Sequence, residues 1–135
     1  MYANADSLSN KIDELQTYAK EYKADLILIC ESLSKNVSSH FDNVYNIDIY
    51  NCIECNVGRG VSIFYKNNLN VTTHDNINNM FKPSLFINIK TKNKPLNIGL
   101  VYRSPSNVEV DNKKLNKQLN FASKKLKNLV VLCGL

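Results

Sequence analysis

The chain has 135 residues, 44% of them hydrophobic, with a net charge of +5 and a sequence pI near 9.0. That length and apolar fraction suit one globular domain, and the positive balance suits an anionic partner, nucleic acid first. No stretch approaches the ~20 apolar residues of a membrane helix. Met1-Tyr2-Ala3-Asn4 lacks the basic-then-apolar pattern of a secretory signal, so the expectation is an intracellular protein with no membrane partner.

Leu8, Ile12, Leu15, Ala19 and Tyr22 recur at helical spacing and predict a helix over about 9–22. Ser7 or Ser9 would cap it, and Asp13 and Glu14 would suit its dipole. The apolar run 25–30, Asp25-Leu26-Ile27-Leu28-Ile29-Cys30, follows almost at once and predicts a strand buried on both faces. Glu31 comes directly after it. Alone, such a residue is a surface acid at a strand exit. It also stands where layered α/β proteins open their ligand crevice, and a carboxylate there suits a hard divalent cation.

The middle of the chain is strand-like. Alternation predicts a strand over 45–50, a turn at Gly58-Arg59-Gly60, a strand over 61–65 and another over 69–73. The runs 85–89 and 96–102 flank the basic turn 91–95 and predict a hairpin. A second helix is expected over 111–127, capped by Asp111, with Leu115, Leu119, Ala122 and Leu126 as its apolar stripe. Its lysines, Lys113, Lys114, Lys117, Lys124 and Lys125, form either a solvated face or one that lies along phosphates. A further buried strand is expected over 129–133. The order suggests two sheets packed face to face with helices outside. The last strand leads nowhere and Tyr2-Ala3 is short, so the expectation is a domain cut at both ends.

Cys30 and Cys133 lie in apolar runs and read as buried free thiols. Cys52-Ile53-Glu54-Cys55 is a lone C-x-x-C. A structural zinc site needs four ligands, and the scattered His40 and His74 supply no paired motif, so ordinary strand cysteines are favoured. The glycosylation patterns at Asn36 and Asn70 carry no meaning in an intracellular chain.

Four segments stand in order: Tyr2-Ala3-Asn4-Ala5-Asp6-Ser7-Leu8, the run 25–32 ending in Glu31-Ser32, Gly58-Arg59-Gly60-Val61-Ser62-Ile63-Phe64-Tyr65-Lys66, and Ile98-Gly99-Leu100-Val101-Tyr102-Arg103-Ser104-Pro105-Ser106. This set resembles the endonuclease/exonuclease/phosphatase superfamily, and within it the apurinic-endonuclease-like domain of non-LTR retrotransposon polyproteins. The resemblance implies a four-layer α/β/β/α sandwich of the deoxyribonuclease type, with residues 1–135 as the N-terminal part of one domain. It implies magnesium or manganese as cofactor and DNA as partner. It further implies a reverse transcriptase domain C-terminal to this one in the full polyprotein, and a nuclear location for a functional protein. Carried over by motif, Asn4 orients the metal-site carboxylate, Glu31 binds the metal, Tyr102 supports the scissile phosphate, and Arg103 is placed to contact phosphate.

The chain departs from the family pattern in several places. The family continues the strand matching 129–133 into Gly-Asp-Phe-Asn and later supplies Ser-Asp-His, whereas here Gly134 is followed by Leu135. Pro83 stands where an acid is common, and there is no Trp. The expected function is therefore a fragment of a magnesium-dependent DNA endonuclease with little activity alone. The alternatives are a non-catalytic basic nucleic-acid-binding module and a phosphomonoesterase of the same fold.

Overall fold

The computed structural model describes residues 1–35 and 45–134; His40 and the Asn36 glycosylation pattern lie outside them. Among the described residues the order is β1 (Tyr2–Asn4), α1 (Ile12–Glu21), β2 (Leu26–Cys30), β3 (Tyr50–Cys55), β4 (Val61–Lys66), β5 (Asn70–Thr73), α2 (Asp75–Asn78), β6 (Ser84–Lys90), β7 (Leu96–Tyr102), α3 (Glu109–Lys125) and β8 (Leu129–Gly134). One sheet runs β1-β2-β4-β3 and the other β5-β6-β7-β8. β1 lies parallel to β2 and β8 parallel to β7, while the other pairs are antiparallel.

Side chains alternate across each strand, and here the alternation sorts the core into three layers. Leu28, Cys30, Val61 and Ile63 of the first sheet meet Leu85, Ile87, Ile89, Ile98, Leu100 and Tyr102 of the second. The alternate residues Ile27, Ile29 and Phe64 pack outward on Leu8, Leu15 and Ala19. On the far side, Phe86 and Val101 pack on Ile77, Phe81, Leu115 and Ala122. The architecture is the α/β/β/α sandwich, and β2 is buried on both faces as its uninterrupted apolar run requires.

Several elements differ from the expectation. Of the strand expected over 45–50 only Tyr50 is in a strand: the chain turns at Asp48 and Ile49, and Ile49 has a φ of 66°. The strand is Tyr50–Cys55, because β4 offers six partners and they pair Tyr50 with Lys66 through Cys55 with Val61. Pairing overrides local alternation here. The register also disposes of the C-x-x-C. Cys52 and Cys55 lie on opposite faces of β3, Cys52 toward α1 and Cys55 between the sheets, so they cannot share a metal. Burial pushes the Cys52 thiol up.

The helix expected over 9–22 begins at Ile12 and has no side-chain cap; Ser7 and Ser9 bond each other at 2.9 Å instead. Tyr22 is exposed. α3 starts at Glu109 after Val108, so Asp111 lies in the first turn and does not cap. β8 is an edge strand with β7 as its neighbour, which leaves Val130 half exposed and Cys133 an exposed thiol, not a buried one. The short α2 carried no periodic signal. It is held by Gln118, a fully buried residue on α3 whose Nε2 donates to Ile77 O and to Ser84 Oγ, each at 2.8 Å.

Gly99 pairs with Phe86 across β7 and β6, and a Cβ there would stand 2.5 Å from the Phe86 ring. The ring has no room to retreat, since Phe86 is fully buried. Gly99→Ala is therefore expected to destabilise the fold by about 1–3 kcal/mol, the usual cost of overpacking. A urea melt with an unchanged midpoint would contradict this.

Candidate active site

Asn4 ends β1, Glu31 follows β2, and Tyr102 ends β7. The first two belong to one sheet and the third to the other, yet all three meet. Parallel pairing sets Asn4 opposite Cys30, which brings its amide to the next residue: Asn4 Nδ2 donates to Glu31 Oε1 at 2.9 Å. The sheets touch at the same level, where Cys30 Sγ approaches Val101 O at 3.8 Å. The Tyr102 phenol reaches the Glu31 carboxylate across that contact.

Backbone geometry aims Glu31 into this junction. Continued extension would turn its side chain toward α1, on the face of Ile29. Instead Glu31 has a φ of 55°, and Asp6 and Ser7 opposite it have φ of 47° and 91°. Left-handed conformations are unfavourable for residues with a Cβ and tend to gather at functional sites. The two turns are tied together by Ser7 N to Glu31 O at 2.7 Å and Leu8 N to Ser32 O at 3.0 Å.

Two residues that the motif comparison assigned no role complete the cluster. Arg59 Nη2 donates to Glu31 Oε2 at 2.8 Å and also to Asp6 Oδ1. Arg59 is delivered by the Gly58-Arg59-Gly60 turn, which packs on residues 32–33. Leu33 N bonds Arg59 O at 2.9 Å, and Gly60, with φ of 73°, lies where a Cβ would meet Ser32 Oγ at 2.7 Å. A sequence signal for both existed: Asp6 lies two residues after Asn4, and Arg59 is an isolated cation between two turn glycines. Arg103, next to Tyr102, is anchored to α3 by Nε to Asn112 Oδ1 at 2.8 Å.

The Asn4 amide holds the Glu31 carboxyl below its usual range, helped by Tyr102 and the Arg59 charge against the opposing push of burial. Burial raises the Tyr102 phenol, and the adjacent carboxylate adds to the shift, so Tyr102 stays a protonated donor. A depressed carboxyl stabilises the fold above its unfolded value, here 4.5, and that contribution is lost as pH falls through the lower folded value. Acid melts should show it: Glu31→Gln is expected to flatten the loss of stability below about pH 4.5. A variant whose acid limb overlays that of the parent protein would refute the assignment.

The donor set fits a hard cation. Glu31 and Asp6 are two carboxylates close enough to share one guanidinium nitrogen, and magnesium is commonly held by one or two carboxylates plus water and phosphate oxygens. No cluster of three or more His, Cys, Asp or Glu residues suited to a metal occurs among the described residues. No helix there is long and apolar enough to cross a membrane.

No family model and no curated protein matches the sequence. Solved structures do. The endonuclease domain of TRAS1, a telomere-specific non-LTR retrotransposon, matches with a TM-score of 0.73 at 17% identity, over 98% of this chain and 57% of its own. TDP2 of D. rerio complexed with a single-strand DNA product matches with a TM-score of 0.64 at 13% identity, over 98% and 57%. A humanized D. rerio TDP2 matches with a TM-score of 0.53 at 13% identity, over 98% and 58%. The chain thus spans a little over half the length of these proteins. Its two four-stranded sheets, helices and layer order are those of the deoxyribonuclease-like fold that these structures share.

Proposed function

We propose that this chain is the metal- and phosphate-holding part of a magnesium- or manganese-dependent DNA phosphodiesterase, an endonuclease of the kind non-LTR retrotransposons carry with a reverse transcriptase. The reading rests on the convergence of Asn4, Glu31 and Tyr102, from two sheets, on one carboxylate. The neighbouring structures, a retrotransposon endonuclease and a protein holding a DNA product, support DNA as the substrate, and a DNA substrate suits a nuclear location.

Glu31 with Asp6 would hold the cation, which when bound neutralises charge on the phosphoryl oxygens and assists departure of the leaving oxygen. Asn4 fixes the Glu31 carboxylate through Nδ2, while its Oδ1 accepts from Asp6 N at 3.2 Å, so one amide orders both acids. Tyr102 offers a neutral hydroxyl to the scissile phosphate without adding competing negative charge. Arg103, anchored through Nε, would meet a flanking phosphate with its remaining donors.

Among the described residues no histidine stands at the carboxylate. The His74 ring bonds Asn97 Oδ1 at 2.8 Å. Asn97 precedes Tyr102 by five positions on β7, about 17 Å along an extended strand. On this reading hydrolysis is expected to be slow, by roughly the 10²–10⁴-fold that one positioned acid or base supplies.

Nicking of supercoiled plasmid in magnesium and in EDTA tests the proposal. Slow nicking that requires magnesium is expected. Nicking that is equal in EDTA, or no nicking over long incubation, overturns it, and the second result favours a binding module without catalysis.

A further inference from the structure

Asp6 and Glu31 already share a cation. A single nitrogen, Arg59 Nη2, serves both carboxylates, while Nε and Nη1 of the same guanidinium are buried and find no hydrogen-bond partner among the described residues. Arginine ordinarily grips a carboxylate through two parallel N–H groups. Here one nitrogen is doubly used and two are left dry, an arrangement held by the turn and not by a full set of side-chain bonds. Buried unmade donors favour any state in which they regain partners. The grip is therefore strong enough to order the acids and incomplete enough to be exchanged.

A divalent cation would need the same oxygens. With Arg59 in place, the net charge of the pair is half cancelled and Arg59 takes one oxygen of each acid, while the other oxygen of Glu31 accepts from Asn4. We propose that Arg59 is the resident counter-cation of the site. It holds Asp6 and Glu31 together and ordered, it competes with the divalent cation for them, and loading requires its side chain to swing out. The proposal rests on Glu31 being a metal ligand, as read above. Competition of this kind lowers apparent affinity by the fraction of molecules whose carboxylates are free. Lys35, at 4.0 Å from Asp6 and 71% exposed, is a weak competitor beside it.

Titration calorimetry of the full chain with Mn²⁺ decides the matter. The turn is held by backbone bonds and glycines, so Arg59→Gln should fold. Its Mn²⁺ affinity is expected to rise by about fivefold or more, within the usual range of coupling between two ligands. Arg59→Lys, which keeps a cation, should stay near the parent value. Arg59→Gln binding no tighter than the parent, while Glu31→Gln has lost the metal, overturns the role of Arg59 and leaves the metal site standing. Glu31→Gln binding as tightly as the parent removes the metal site itself, and this inference with it. If Arg59→Gln does not fold, the unaltered protein answers by NMR. Protected Arg59 guanidinium signals should be lost as Mg²⁺ fills the site, and their survival at saturation overturns the proposal.

Discussion

Replacing Glu31 with glutamine is expected to reduce magnesium-dependent nicking by about 100-fold or more, to the level seen in EDTA. The change is nearly isosteric, and an amide oxygen can still accept from Asn4 Nδ2, so the loss is one of charge. A bound cation supplies several kcal/mol of charge stabilisation in phosphoryl transfer, and each 1.36 kcal/mol is tenfold in rate, so losing its principal anchor amounts to roughly 10²–10³. The fold should survive, because the bonds that shape this turn are main-chain ones, from Ser7 N to Glu31 O and from Leu33 N to Arg59 O. Circular dichroism and gel assays on the same preparation separate lost fold from lost chemistry. Unaltered nicking by a folded Glu31→Gln protein would assign the activity to a contaminant.

Phe86→Ala is expected to cost about 3–5 kcal/mol, the range for emptying a fully buried aromatic site. Phe86 has no exposed surface and lies over Gly99, against Ile77, Phe81, Leu115 and Ala122. Its backbone also anchors α2, accepting from His74 N at 2.9 Å and donating to Asn78 Oδ1 at 2.6 Å. Gly99 has no side chain with which to fill the gap, so collapse of the cavity is restricted. Total stabilities run to about 5–15 kcal/mol, which puts this loss at a large share of the whole. Phe121→Ala on the same helical layer is the control: Phe121 is 40% exposed, and its truncation should change stability by about 0.5 kcal/mol or less. Equal urea midpoints for the two variants would refute the packing account.

The parts of the molecule that were legible in advance are those where one physical signal dominates. β2 is an uninterrupted apolar run because both of its faces are covered, and the hairpin of β6 and β7 alternates around a basic turn. Glu31 could be singled out because it closes the first of these. The misassigned parts depend on partners distant in sequence. Residues 45–50 alternate as well as any strand, yet β4 pairs with 50–55 and leaves the earlier residues to turn. Cys133 looked buried from its neighbours, but β8 is an edge strand, paired among the described residues with β7 alone. Gln118 sits in an apolar stripe to bond a carbonyl of α2 and the Ser84 hydroxyl, which no local pattern shows. Asp6 and Arg59 were visible as residues and not as a pair, since 53 positions separate them.

The sheets close on each other through the Cys30–Val101 contact, which joins residues 71 positions apart. Neither half of the chain can form the junction alone, and such non-local closure is the slow part of folding. The carboxylate and the phenol are one step beyond that contact, at the same separation in sequence. The pocket they make is thus among the last features to appear during folding, and it vanishes when the sandwich opens, whatever local structure persists.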